Sequence, residues 1–220
     1  MTEYVKENVK DPGSAITHFI GMVMAIFAAV PLILKAANKP DKIYVFSVVV
    51  YALSLVLLYF ASTIYHTFDK DDRTNKRLKK FDHMMISVLI AGTYTPVCLL
   101  IIKGTFGLIL LGIIWTLALG GIILKALWVT CPKWVSSVLY IGMGWTCVLA
   151  FSKILNNLSL AAFMWLLVGG IIYTIGGVIY ALKLPLFNNR HQYFGSHEIF
   201  HLFVMGGSIC HFILIYFYVL

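Results

Sequence analysis

Charged residues are scarce in this chain of 220 amino acids, where aspartate, glutamate, lysine and arginine together make up only 12%. A soluble domain carries about twice that share. Hydrophobic residues account for 60% of the chain, and the mean hydropathy is +0.89. So much apolar surface could not be hidden from water in a chain of this length. The composition therefore excludes a soluble enzyme, a disordered chain and a nucleic-acid-binding module.

Cysteine is also rare, and its placement excludes two classes of small domain. None of the four cysteines belongs to a C-x-x-C pair, and most of them lie inside apolar runs; they are Cys98, Cys131, Cys147 and Cys210. This pattern is neither a disulfide framework nor a thiolate metal site.

Long apolar runs are what the chain does contain. A membrane-spanning helix needs about 20 mostly apolar residues. Seven runs reach about that length, and none shows the strict alternation of a barrel strand. We predict an all-α membrane protein in which residues 1–220 form a single seven-helix transmembrane domain. The predicted spans are about 15–36, 43–66, 83–103, 105–128, 134–154, 158–183 and 197–220.

The positive charges predict how these helices are oriented. Seven spans place 12 of the 17 Lys and Arg residues on the N-terminal side of the membrane and 5 on the other side. Cytoplasmic loops are enriched in Lys and Arg, so we predict a cytoplasmic N-terminus. Six of the basic residues lie between residues 70 and 80. They are interpreted either as a topology signal or as a contact with anionic lipid.

Two patterns concern helix packing and helix ends. Gly169 and Gly170 are followed seven residues later by Gly176 and Gly177, which predicts that a neighbouring helix approaches closely on this face. Lys125 lies at the end of the fourth run, from where its side chain can extend to the membrane surface.

Ionisable side chains inside a membrane span are costly and usually mark a functional site. With the N-terminus inside, the second span ends at the cytoplasmic face near His66, and the third begins there at Asp82. The seventh span also begins there, with His197 and His201. These four residues, although distant in sequence, are therefore expected at one depth.

The spacing of the histidines indicates a metal site. His197 and His201 are four residues apart and share one face of a helix, and His66 is at the right depth to be a third ligand. Three histidines with an open fourth position are typical of catalytic zinc, although iron, nickel and copper also bind imidazole-rich sites. Asp82 could orient a water molecule or a ligand, and Ser62, one turn before His66, could donate a hydrogen bond. The alternative is that the histidines only hydrogen-bond between helices.

A second interpretation comes from the same segment. His197, Glu198 and His201 match H-E-x-x-H, the pattern of zinc proteases in which the glutamate activates water. The pattern is short, and the side chain of Glu198 points about 100° away from that of His197 around the helix. An intramembrane protease is therefore an alternative to be tested.

Three sequence blocks resemble the signatures of the progestin and adipoQ receptor (PAQR) family, whose bacterial branch is called hemolysin III. They are S-T-I-Y-H at residues 62–66, F-D-H-M-M-I-S-V-L-I-A-G-T-Y-T-P at 81–96 and S-H-E-I-F-H-L-F-V at 196–204. I-T-H-F-I-G at 16–21 is similar to the first helix of the bacterial branch, whereas residues 11–14 depart from the family pattern. The family's receptors often have Gln at the position of Glu198, which weakens the protease interpretation.

The resemblance implies a Zn²⁺ cofactor near the cytoplasmic face, with His66, His197 and His201 as ligands and Asp82 and Ser62 beside them. Members of the family and the related alkaline ceramidases cleave lipid amides, so we expect a zinc-dependent lipid amide hydrolase with membrane lipids as substrates or ligands. The alternative is non-enzymatic, either a cytolytic, pore-forming hemolysin or a regulator of membrane lipid state with a structural zinc. An open metal position facing a cavity favours the hydrolase, whereas Asp82 as a fourth ligand favours a structural site.

Overall fold

A computed structural model describes residues 9–182 and 193–220. In these two ranges the regular structure is entirely helical, and seven helices are long and apolar enough to cross a membrane. They are α1 Pro12–Ala37, α2 Lys42–Thr67, α3 Asp72–Pro96, α4 Gly104–Leu127, α5 Lys133–Trp145, α6 Leu160–Leu182 and α7 Ser196–Ile213. The seven-helix prediction is confirmed, while Lys183 and the predicted connection up to residue 192 lie outside the described residues.

Three helices change their winding within the span. After Pro96, α3 continues as a π-helical turn, Val97–Ile102, and α7 continues in the same way as Leu214–Val219. α5 passes through a 3₁₀ turn, Thr146–Ala150, before a last α-helical segment, Phe151–Asn157. The change in α3 occurs at a proline, which lacks the N–H group that an α-helical ladder requires.

α3 begins eleven residues earlier than the predicted third span, at Asp72 instead of residue 83. The carboxylate of Asp71 caps the helix by accepting hydrogen bonds from the N–H groups of Arg73 and Thr74, both at 3.1 Å. A further hydrogen bond from the Thr74 hydroxyl is the main reason why the pKa of Asp71 is lowered. The basic segment expected to be a loop is therefore helical, and Asp82 lies inside α3 and not at its start.

The helices form a ring. α1, α2, α3, α5, α6 and α7 each pack against the next, α7 returns to α1, and α4 lies outside against α3 and α5. Large apolar side chains cover the outer surface, among them Phe27, Leu127 and Leu160, which are 73%, 81% and 76% exposed. Lipid is the natural solvent for such a surface, and the space inside the ring is left for the site.

The glycines of α6 behave as the sequence predicts where α6 meets α7. A Cβ added at Gly169 would lie 2.8 Å from His211 Cε1, and one added at Gly176 would lie 2.7 Å from Phe203 Cβ. Both distances are shorter than a real Cβ contact, so these positions require glycine. A Cβ at Gly170, on another face, would meet no atom within 4 Å.

The expectation for Lys125 is wrong. Its side chain is 1% exposed, and its Nζ donates hydrogen bonds to Ser136 Oγ and, at 3.1 Å, to Cys131 Sγ. Cys131 lies in the connection from α4 to α5 and Ser136 in the first turn of α5, so the ammonium group is satisfied inside the protein and does not extend to the membrane surface.

Candidate metal centre

The last turn of α2 and the first turns of α7 bring three histidines together. His66, His197 and His201 each offer a ring nitrogen, and these atoms all lie within 4.8 Å of one another. The Nε2 atoms of His66 and His197 are 3.3 Å apart. The structure thus brings these three residues together, and the group could hold a metal ion.

The distance of 3.3 Å between the Nε2 atoms of His66 and His197 suits a tetrahedral metal ion. With metal–nitrogen bonds of about 2.0–2.1 Å, tetrahedral geometry separates two ligand nitrogens by about 3.3–3.4 Å. The His66 side chain is 4% exposed, and His201 as a whole residue is 2% exposed. The imidazoles of His66 and His197 therefore converge at the separation that a shared ion needs, and of the three histidines only His197 is half-buried.

The N-terminal end of α1 contacts two of these histidines, a feature that the sequence interpretation missed. His66 Nδ1 donates to Asp11 Oδ2 at 2.9 Å, and His201 Nδ1 lies 3.2 Å from Thr17 Oγ1. The hydrogen bond from His66 is the largest cause of the lowered pKa of Asp11. Asp11 followed by Pro12 is a recognisable helix start, but that signal gives no information about what the carboxylate contacts.

Asp82 and Ser62 lie on the wall of the cavity that also contains His197 and His201. Asp82 is 7% exposed, and its Oδ2 is 3.2 Å from His83 Nδ1. Ser62 Oγ is buried and has no hydrogen-bond partner in the described part of the chain. Neither residue belongs to the three-histidine group within the described ranges, so Asp82 is not placed as a fourth ligand there.

Glu198, the glutamate of the H-E-x-x-H pattern, uses both carboxylate oxygens at the start of α7. Its Oε2 accepts from the N–H of Gly195 at 2.8 Å, and its Oε1 accepts from the hydroxyl of Ser14. These contacts cap α7 and join it to α1. Glu198 therefore holds the start of α7 against α1, and it does not belong to the three-histidine group.

Two further histidines, His18 and His211, pack against other rings. The ring of His18 stacks on His201 with centroids 3.6 Å apart, and the ring of His211 stacks on Tyr173 at 5.3 Å. His211 Nδ1 also lies 3.0 Å from the carbonyl oxygen of Gly207, to which it donates. Both nitrogens of His18 are without a hydrogen-bond partner in the described part of the chain.

A cavity of about 240 Å³ extends from the histidines along the inside of the ring. Its lining residues on α5 run from Ser136 to Ile154, which corresponds to about 27 Å of helix rise. Away from the histidines the walls are mainly aliphatic and aromatic. Val148 and Phe151 line this cavity and are 55% and 50% exposed.

Comparisons with known proteins agree with this architecture. The family described as Haemolysin-III related matches residues 6–212. Hemolysin-3 of Bacillus cereus is 40% identical over 100% of this chain and 95% of that protein, and the Hemolysin-3 homolog of Bacillus subtilis is 40% identical over 97% of this chain and 95% of that protein. The human monocyte to macrophage differentiation factor is 26% identical over 77% of this chain and 68% of that protein.

The seven apolar helices and the bacterial relatives together indicate a multi-pass protein of the plasma membrane. The family match covers the described helices up to residue 212, and it includes all three histidines of the metal group. The chain belongs to the haemolysin-III related family.

Proposed function

We propose that the protein is a zinc-dependent hydrolase of lipid amides. The observation that carries the proposal is the combination of a three-histidine group with a long apolar cavity whose wall contains His197 and His201. Three protein ligands leave a fourth position for a reactant, whereas a structural zinc site is usually closed by four. The position of Asp82, outside the group of ligand atoms, supports the open arrangement.

Zinc fits the donor set, because neutral imidazoles are ligands that it prefers, and one pair of them, His66 and His197, is at tetrahedral separation. When bound, zinc would polarise an amide carbonyl and lower the pKa of a coordinated water to about 7. His66, His197 and His201 would hold it.

Asp82 and Ser62 supply the groups that the reaction requires beside the metal. The buried carboxylate of Asp82 accepts a proton from the water that attacks the amide carbon and passes it to the leaving nitrogen as the carbon–nitrogen bond breaks. The hydroxyl of Ser62, which has no partner in the described part of the chain, donates a hydrogen bond to the carbonyl oxygen. The products are a fatty acid and an amine.

The cavity suits the acyl half of such a substrate. Its apolar walls, which follow about 27 Å of α5, suit a hydrocarbon chain that would otherwise lie in the bilayer. Added Cβ atoms at Gly144 of α5 and Gly170 of α6, which both line the cavity, would meet nothing within 4 Å. The acyl chain would therefore find room between α5 and α6.

The test uses purified protein in lipid nanodiscs, with zinc content and hydrolysis of a fluorescent long-chain N-acyl amide as the two measurements. We expect close to one zinc per chain. His197→Ala should lose both metal and hydrolysis, while Asp82→Asn should keep the metal and lose about 10²–10⁴-fold in rate. Asp41→Asn, which removes an exposed carboxylate that caps α2 at the end opposite His66, is the matched control and should change neither.

Two results would overturn the proposal. Bound zinc without hydrolysis of any amide would indicate a structural ion in a membrane regulator. Release of a dye from intact vesicles by wild type, with Asp82→Asn equally active, would instead support the lytic activity that the names of the Bacillus relatives attribute to those proteins.

A further inference from the structure

The N-terminal end of α1 touches both helices that carry the metal group. Asp11, Ser14 and Thr17 are three residues apart, so from Asp11 at the N-cap onward they follow one another along one side of the helix. Asp11 contacts His66 of α2, and Ser14 and Thr17 contact Glu198 and His201 of α7. The N-terminal end of α1 therefore links α2 to α7, the two helices that carry the three histidines, through residues that are not themselves part of the three-histidine group.

The hydrogen bonds of Thr17 determine which nitrogen of His201 carries a proton. The single hydroxyl hydrogen of Thr17 is directed to the carbonyl oxygens of Gly13 and Ser14, at 3.0 and 2.9 Å. With its hydrogen engaged there, its oxygen is available to accept from His201 Nδ1, 3.2 Å away. This arrangement favours the tautomer of His201 that has its proton on Nδ1 and its lone pair on Nε2.

Asp11 acts on His66 in the same way and through two contacts. An ionised carboxylate only accepts, so its hydrogen bond of 2.9 Å places the imidazole proton on His66 Nδ1. The backbone N–H of Asp11 also donates to the carbonyl oxygen of His66 at 2.9 Å. The side chain and the backbone of His66 are therefore both held by Asp11. His66 Nε2, which carries no proton in this tautomer, lies 3.3 Å from His197 Nε2.

We propose that Asp11 and Thr17 are positioning residues of the metal centre, which fix the ring orientation and the Nδ1–H tautomer of His66 and His201 without binding the ion. The proposal rests on the metal site of the proposed function. Partners of this kind orient metal-bound histidines and typically change metal affinity by about 10–100-fold when removed. The Asp11 side chain is 44% exposed, so it can be replaced without opening a cavity in the core.

The test measures zinc affinity by competition with a chelator at fixed pH, and the absorption spectrum of the Co²⁺-substituted protein. Thr17→Val keeps the shape of the side chain but removes the acceptor, whereas Thr17→Ser restores it. We expect Thr17→Val and Asp11→Ala to bind zinc about 10–100-fold more weakly with a changed Co²⁺ spectrum. Thr17→Ser should bind as wild type does, and Asp11→Asn should fall between Asp11→Ala and wild type.

Matched controls separate this effect from a general loss of stability. Thr116→Val removes an exposed hydroxyl that makes the same type of bond within α4, to Gly112, and Asp41→Asn removes a distant capping carboxylate. Both should leave affinity and spectrum unchanged. If Asp11→Ala fails to fold, the comparison of Thr17→Val with Thr17→Ser still decides the question.

The outcomes distinguish this proposal from the one on which it rests. If wild type binds no metal, the proposed function fails first. If wild type binds zinc, His197→Ala abolishes binding, and both Asp11→Ala and Thr17→Val bind as tightly as wild type, the metal centre stands and the positioning role is overturned.

Discussion

Both carboxylate oxygens of Glu198 accept hydrogen bonds at the start of α7, from the Gly195 N–H and the Ser14 hydroxyl. A general base needs a free lone pair directed at the water it activates. The carboxylate of Glu198 is instead used to close the first turn of its own helix and to attach that helix to α1. Glu198 is therefore expected to cap the helix and not to act as a general base.

Replacing Glu198 with Gln separates capping from catalysis. The Gln side chain keeps an oxygen that can accept from Gly195, so we expect zinc content and amide hydrolysis to stay close to wild type, with unfolding destabilised by about 1 kcal/mol. Metal analysis, the hydrolysis assay and the melting temperature check this. A loss of 10²-fold or more in rate at normal zinc content would restore the protease-like role for Glu198.

At the scale of elements, the contact between α6 and α7 is set by glycines. Gly176 is placed where a Cβ would lie 2.7 Å from Phe203 Cβ, an atom that cannot move away without its backbone. The first turns of α7 carry two of the three histidines, so the position of α7 against α6 also determines where those histidines lie.

Gly176→Ala and Gly170→Ala form a matched pair on this helix. We expect Gly176→Ala to destabilise the protein by about 1–3 kcal/mol through overpacking. Gly170→Ala should be neutral or stabilising by up to about 1 kcal/mol, because its Cβ meets nothing within 4 Å and alanine favours helix. Unfolding in mixed detergent micelles measures both. Equal effects would mean that α6 and α7 are not in close contact at Gly176.

The length of the apolar runs was sufficient to predict the seven helices, because the thickness of the bilayer sets a similar minimum length for each helix that crosses it. It could not predict the start of α3, since residues 72–80 are polar and their helix depends on the cap provided by Asp71. It also could not predict the burial of Lys125, whose acceptors come from the connection between α4 and α5 and from the first turn of α5.

For the site, the spacing of His197 and His201 and the shared depth of His66 were enough to group these three histidines. The contacts of Asp11 and Thr17 could not be derived in this way. Their partners are 55 and 184 residues away in sequence, and only the closure of α1 against α2 and α7 brings them together. A polar residue at a helix start has the same local pattern whether it caps its own helix or supports a distant histidine.

At the scale of the whole molecule, basic residues gather at the end of the bundle that holds the metal group. His66 is in the last turn of α2, and the basic residues between 70 and 80 follow it directly. The five basic residues on the opposite side are all lysines, and they lie in connections or near helix ends; they are Lys35, Lys39, Lys42, Lys103 and Lys153. Lys6 and Arg190, which the sequence assigns to the same side as the site, lie outside the described residues.

This asymmetry predicts that the metal centre faces the cytoplasm. Fluorescent protein fused to the N-terminus should fluoresce, and alkaline phosphatase fused after Leu220 should be active outside, because positive charge is retained on the cytoplasmic side. Replacing Lys76, Arg77, Lys79 and Lys80 with Gln should weaken this preference, whereas replacing four lysines of the opposite side should not. An inactive phosphatase at the C-terminus, with a reporter in the α2–α3 connection active outside, would place the metal centre on the outer face. Its zinc would then come from outside the cell, and Asp11 would hold His66 at that surface.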